Sequence, residues 1–454
     1  MRFFVLLLVF IAANIFAQQH EDSLLIRKIY SYHLTKSKSY TNLRSLCKDV
    51  GARLSGSKQA VVAVDWAKQA MIKAGADSVY LVPCMVPHWV RGKKEKCEAY
   101  VNNKPELLSV CALGGSISTP VNGVKAKVIE VSSFEELEKL GTEKIKGNIV
   151  FYNVSFDVAF IHTGSAYGKA VKYRSGASMA AKYGAVASVT KSMTTANNDF
   201  PHTGMMKYDS LIKQKIPAFA ISAKGAERLS SLLAQNINAE MYLYSDCATL
   251  PDEPSYSVVG EIHGKEIPNE VILVGGHLDS WDLGEGAHDD GAGVVHSIEV
   301  LAAFKKLNIK NKRTIRCIAF MNEENGTLGG EAYAKVATQE NKKHIAALES
   351  DMGGFSPRAI GVEAKQDTLQ YYRKWQPLFE PYYVFIKQGG GGADIGKLVG
   401  VSQFSFEPDS QRYFDFHHTN DDVFENVNKR ELELGAATIS SFIYLIDKYG
   451  TYKK

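Results

Sequence analysis

Two histidines and five acidic residues fall within the nineteen positions of GGHLDSWDLGEGAHDDGAG, Gly275 to Gly293. Further along, Glu323 and Glu324 adjoin in MNEENGTLGG, Asp351 lies in ESDMGG, and His417 and His418 adjoin in FDFHHTNDD. Taken singly, each has an ordinary explanation. A His-x-Asp makes a structural hydrogen bond, paired glutamates after a strand are solvated, and an Asp before a helix caps it. Gathered in one place, these carboxylates could not all stay ionised without a cation, because like charges raise each other's pKa. Two histidines with three carboxylates form a nitrogen and oxygen donor set that suits zinc. With one carboxylate shared, five side chains can hold two ions about 3.5–4 Å apart. A sixth acid that binds no metal is then free to take a proton from water. The Glu323–Glu324 pair offers it, since adjacent residues on an extended tip point in different directions.

The flanking sequence must deliver these groups. His277 and Asp279 follow the apolar run VILV, and Asp289 and Asp290 precede GVVHSIEVLAAFKKL, an amphipathic helix pattern with Val294, Ile298 and Leu301 on one face. Glu323 and Glu324 close the strand-like TIRCIAFMNEE, and Asp351 closes HIAALESD. Strands alternating with helices predict an α/β sheet with helices on both faces, in which ligands bind beyond the carboxyl ends of strands. SYSVVGEIHG and EVILVGGHLD read as a hairpin or adjacent strands across KEIPN. Upstream, EDSLLIRKIYSYHLTKS and SKQAVVAVDWAKQAMIKAG carry helical spacing, the second ending at a glycine. The Gly/Ser/Thr/Pro-rich stretch Leu113–Pro120 marks a domain boundary. From there to Asp246, short strand-like and helix-like runs contain no dense cluster of acids and histidines, as expected of an inserted, non-catalytic domain.

The chain of 454 residues is long enough for more than one packed unit. Its formal net charge of +4 comes with no basic stripe and interleaved aromatics, so no nucleic-acid partner is expected; RGKKEK, Arg91 to Lys96, reads as a solvated turn. The first residues, MRFFVLLLVFIAANIFAQQ, have the basic start, short apolar core and small-residue end near Ala17 of an export signal at 1–17. That core is short for a membrane span, so no stable span is expected after its removal, and the protein is read as exported, periplasmic or secreted. Six cysteines permit disulfides without making a disulfide scaffold, and Cys317, inside IRCIAF, reads as a buried thiol. The Gly-rich KQGGGGADIGKL lacks the G-K-[ST] ending of a phosphate loop.

The motifs GGHLDSW, GAHDDGAG, MNEENGTLGG, ESDMGG and FHHTNDD, in this order, resemble those of the co-catalytic dizinc aminopeptidase and carboxypeptidase family. GARLSGS (Gly51 to Ser57) and VPHWVRG (Val86 to Gly92) add likeness to its carboxypeptidase Q branch. The resemblance implies a three-layer sandwich with a mostly parallel mixed central sheet, its catalytic domain formed by residues 18–112 and 251–454 around a protease-associated-like insert at 113–250. By motif, it implies that His277 and Asp351 bind one zinc ion and Glu324 and His418 a second, with Asp289 bridging. Glu323 matches the general base, and Asp279 the acid that orients the His277 imidazole. Asp290 follows the bridge, where the family has an unusual peptide geometry, and a structural role is implied. Within HHT, the family's ligand precedes Thr or Ser, which points to His418. Many relatives have an oxyanion-stabilising tyrosine where His417 stands; Tyr413 is the candidate substitute. His288 is left facing substrate, solvent or neither, and Asp394 as structural or substrate-facing. The implied activity is hydrolysis of small peptides, dipeptides with free termini in the carboxypeptidase Q branch, by a homodimer. The alternatives are an aminopeptidase on longer peptides, a glutaminyl-cyclase-like acyltransferase and a non-catalytic metal-binding protein.

Overall fold

The computed structural model describes residues 20–101, 104–235 and 239–452; the leader read at 1–17 lies outside them. Helix α1 (20–36) and helix α2 (Lys58–Ala74) precede a long strand β1 (Ser78–Val90). Ser57 caps α2 by accepting the Ala60 amide, and Gly75 ends it with a left-handed φ of 95°, as the sequence pattern anticipates. After the insert come β2 (Ala248–Ile262), β3 (Ile267–His277), α3 (Ala292–Lys306), β4 (Arg313–Phe320), α4 (Leu328–Gln339), β5 (Lys343–Glu349), β6 (Pro357–Val362), β7 (Phe385–Gln388), β8 (Ser402–Pro408) and α5 (Lys429–Tyr449).

These eight strands form one mixed sheet in the order β1-β2-β4-β3-β5-β8-β6-β7. The pairs β4/β3, β3/β5, β5/β8 and β6/β7 run parallel; β1/β2, β2/β4 and β6/β8 run antiparallel. Successive strand residues face opposite layers. Val258, Ile272, Cys317 and Ala346 pack with α1, α2, α3 and α5, whereas Val259, Leu273, Ile318 and Ala347 pack with Tyr333 and Ala337 of α4. This is the predicted α/β architecture.

Two local expectations fail. β2 and β3 are neither a hairpin nor neighbours: β4 lies between them, antiparallel to β2 and parallel to β3. Every residue of β4 is buried, and only a central position covers both of its faces. Nor does α3 use its pattern as a surface helix. Residues Ala292 to Phe304 are all buried, since α3 is covered by the sheet on one side and by neighbouring helices on the others.

Residues 96–244 form a second eight-stranded sheet, in the order Lys104–Leu107, Lys96–Val101, Glu240–Tyr244, Val124–Val131, Ile149–Tyr152, Ala187–Lys191, Ala218–Ile221, Val110–Ala112. It begins upstream of the Gly/Ser/Thr/Pro-rich stretch. The chain leaves from β1 and returns into β2 where Val90 pairs with Ala248, so the insert is carried on the end of an antiparallel ribbon. None of the six cysteines is paired. Among the described residues, no helix is long and apolar enough to cross a membrane.

Candidate metal centre

The strand-end rule locates the site: β3 ends at His277, Glu323 and Glu324 follow β4, and Asp351 follows β5. Two glycines let the end of β3 approach the start of α3. A Cβ on Gly276 would lie 2.3 Å from Asp290 Oδ2, and one on Gly293 would lie 1.8 Å from the Ser350 carbonyl oxygen. Asp290 uses that closeness, accepting the His277 amide at 3.0 Å and the Gly293 amide at 2.9 Å. It ties strand to helix, and its peptide bond to Asp289 is cis.

Asp289 is the centre of the cluster. Its Oδ1 lies 3.1 Å from His277 Nε2 and its Oδ2 lies 3.1 Å from His418 Nε2. His277 Nε2 is also 3.4 Å from Asp351 Oδ1, and His418 Nε2 is 3.0 Å from Glu324 Oε2. Two residue pairs, His277 with Asp351 and His418 with Glu324, therefore share one carboxylate. Each histidine has its other nitrogen engaged: His277 Nδ1 donates to the Asp279 carbonyl at 2.9 Å, and His418 Nδ1 to the Thr203 carbonyl at 3.2 Å. Those donations turn both Nε2 atoms toward the acids. His418 takes a left-handed φ of 63°, a backbone strain common at functional sites.

The residues fit a metal. Asp289 Oδ2 and Asp351 Oδ1 are buried without a hydrogen-bond partner, and a void of about 10 Å³ borders Asp289, Glu324 and His418, room for one water-sized atom. The cluster demands positive charge. Burial disfavours an imidazolium, yet Asp351 and Asp289 hold His277 well above the usual histidine range, while Glu324 and Asp289 lift His418 to about 9. Burial pushes Glu324 up to about 7. Burial would raise Asp289 too, but the two histidines beside it hold it well below the usual carboxylate range.

Other predicted residues take different places. The Asp279 carboxylate lies 3.8 Å from His277 Nδ1 and accepts instead the amides of Asn322 at 2.7 Å, Glu323 at 3.0 Å and Glu324 at 3.4 Å. Its carbonyl steers the histidine, and its carboxylate fixes the glutamate tip. His288 faces neither substrate nor solvent: it is buried, stacked on Phe355 at 4.2 Å, and bonded at both ring nitrogens to Gly354 and Asn426. His417 stacks on His418 with its Nε2 3.7 Å from Asp289 Oδ2, farther than His418. Tyr413 is buried, and burial together with Asp289 and Asp351 keeps its phenol protonated. Asp394 is buried beside Glu349 and Glu323 with neither oxygen hydrogen-bonded.

Several residues that hold the site escaped the sequence reading. Asp422 accepts the amides of His288 at 2.7 Å and Asp289 at 3.1 Å; the acid-rich end of FHHTNDD was its only trace. Arg91, placed in a solvated turn, is nearly buried and grips Asp282 through two hydrogen bonds of 2.6 and 2.7 Å. Residues of the 96–244 unit also touch the cluster. The Thr203 amide donates to the His418 carbonyl and the Thr203 carbonyl accepts from His418 Nδ1, Tyr167 lies edge-on to His417, and Arg174 donates to the Tyr167 hydroxyl at 2.6 Å.

The model of peptidase family M28 matches residues 257–443, which span every element that carries a candidate ligand. Carboxypeptidase Q of Bos taurus is 33% identical over 91% of this chain and 86% of its own length; that of Xenopus laevis is 35% identical over 90% and 86%. The solved peptidase M28 precursor of Shewanella amazonensis SB2B superposes with a TM-score of 0.90 at 32% identity, covering 96% of this chain and 98% of its own. A zinc aminopeptidase of Bacillus subtilis shares the fold, with a TM-score of 0.64 at 18% identity over 91% and 96% of the two chains. Fold and site together define a zinc-dependent metallopeptidase. The chain belongs to peptidase family M28, and over 91% of its length it is similar to carboxypeptidase Q.

Proposed function

We propose that this exported enzyme hydrolyses small peptides, dipeptides with both termini free above all, with two zinc ions. His277 and Asp351 hold one, Glu324 and His418 the other, and Asp289 is shared. The observation that carries this reading is Asp289 itself, with one oxygen 3.1 Å from each histidine. Bound zinc supplies Lewis acidity, which acidifies water and polarises a scissile carbonyl.

The protein's own groups do the rest. Glu323 takes a proton from the attacking water and returns one to the departing amine. Burial, with Asp351 and Glu324 close by, raises its proton affinity. The Tyr413 phenol, held protonated among the same acids, donates to the developing oxyanion. Arg174 is 5% exposed and has no ion-pair partner among the described residues. A buried guanidinium beside His418 lacks only a carboxylate, and the free C-terminus of a short substrate supplies one. The unit built on the second sheet, residues 96–244, acts as the cap that brings Arg174 and Tyr167 to the cleft, and the leader at 1–17 directs export.

A panel of one dipeptide in free, N-acetylated and C-amidated forms tests the specificity. Fast cleavage of the free form alone is expected; equal cleavage of the amide or of longer peptides contradicts a dipeptidase.

A further inference from the structure

The motif GARLSGS has no part in the chemistry above, yet it is buried against it. Arg53 is 0% exposed and Ser55 is 1% exposed. A buried arginine ordinarily faces a carboxylate. Arg53 faces main chain instead: Nε donates to the Leu278 carbonyl at 2.5 Å, Nη1 to the Glu285 carbonyl at 2.6 Å, and Nη2 to the Gly286 carbonyl at 3.0 Å. All three carbonyls belong to the loop between His277 and Asp289. Asp422 takes amides of the same loop, at His288 and Asp289. The loop is thus held through its acceptors on one side and its donors on the other.

Two residues on, the chain reaches the second ligand-bearing tip. Ser55 Oγ donates to Asn325 Oδ1 at 2.6 Å and accepts from Asn322 Nδ2 at 2.8 Å. Asn322 and Asn325 bracket Glu323 and Glu324, and Asn322 has a left-handed φ of 73°. The segment is itself rigid, since the Ser57 amide bonds the Leu54 carbonyl and Ser57 caps α2.

We infer that Arg53 and Ser55 are a pair of positioning residues: a single rigid segment fixes the distance between the loop that carries His277 and Asp289 and the tip that carries Glu323 and Glu324. This rests on the dizinc reading. Asp289 must reach across from the His277 side to the Glu324–His418 side, so the spacing of these two segments decides whether one carboxylate can serve both ions. The Asp279 carboxylate already ties the start of that loop to the tip; without the clamp the stretch from Glu285 to Asp289 loses its own tie, and the shared carboxylate is no longer held at the spacing both ions need.

The test is metal binding, measured apart from turnover. The metal-free protein is titrated with zinc against a chromophoric chelator, and with cobalt(II), whose visible spectrum reports coordination. The parent is expected to bind two ions; a parent that binds none refutes the dizinc reading, not the clamp alone. In Arg53→Gln and Ser55→Ala, zinc affinity is expected to fall about 10- to 100-fold and the cobalt spectrum to change, with Arg53→Lys recovering part of the loss. Ser55→Ala removes one hydroxyl and decides the matter if Arg53→Gln does not fold. Arg313→Gln breaks a buried arginine's contacts to Glu270 and Asp447, away from both loops, and is expected to lose thermal stability without losing zinc affinity. Parent-like affinity and spectrum in Ser55→Ala, or an equal loss in Arg313→Gln, overturns the clamp.

Discussion

His277 is steered by the main chain of Asp279, not by its carboxylate: the ring Nδ1 meets the carbonyl at 2.9 Å and the carboxylate oxygen at 3.8 Å. The carbonyl can only accept, so Nδ1 carries the proton and Nε2 is left free toward Asp289 and Asp351. Released from the imidazole, the Asp279 carboxylate gathers three amides at the glutamate tip. One residue thereby sets a histidine on one strand end and two glutamates on the next.

The adjacent histidines differ in reach. His418 Nε2 is 3.0 Å from Glu324 and 3.1 Å from Asp289, while His417 stands 3.7 Å from Asp289. His418→Ala is expected to lose zinc and activity together, and His417→Ala to keep both ions. Metal content per chain after dialysis checks this, and the opposite pattern would transfer the ligand role to His417.

Replacing the proposed base separates chemistry from binding. Glu323→Gln is expected to hold zinc as the parent does and to lose about 10²- to 10⁴-fold in kcat. Tyr413→Phe is expected to lower kcat while leaving KM and zinc content unchanged. Substantial turnover in Glu323→Gln would remove it as the base.

Arg174 makes a prediction that turns on the substrate. Arg174→Met is expected to raise KM about tenfold or more for a dipeptide with a free C-terminus and to change little for the C-amidated form. Equal losses on both substrates would make the residue a support for Tyr167 and His418 only.

Away from the candidate metal centre, burial lifts Glu299 to about 7, although Ser37 and the Lys38 amide donate to it. Its folded pKa exceeds the unfolded value, so the folded state binds this proton more tightly. The resulting stabilisation is complete below about pH 4.5 and is lost as pH rises through about 7. Glu299→Gln is expected to gain on the parent over that interval, approaching roughly 3 kcal/mol. Urea unfolding of both proteins at pH 5 and pH 8 measures the difference; a constant difference would show that Glu299 does not titrate there.

The acids and histidines at strand ends were legible in the sequence because each ligand tip ends an apolar run, and the continuous apolar runs of β3, β4 and β5, which the fold buries on both faces, are a local property. The order of β2, β4 and β3 was not, because pairing depends on which strand needs cover on both faces. Helix α5 went unread although Asn428 caps it, and α3 was misjudged because only α5 and the other helices packed around it explain why its polar residues are buried. His296 bonds the Leu432 carbonyl and Ser350, and Glu299 the Lys38 amide. Arg53 and Asp422 lie hundreds of residues apart in sequence and act on one loop, a relation no local pattern contains.

In the proposed centre, Asp289 joins two metal half-sites. Titrating the metal-free protein with zinc while following dipeptide hydrolysis tests it most directly. Two ions per chain are predicted, with activity restored as they bind and Asp289→Ala failing to retain the pair. Full activity in the metal-free protein, or an Asp289→Ala variant that still holds two ions as tightly as the parent, would contradict it.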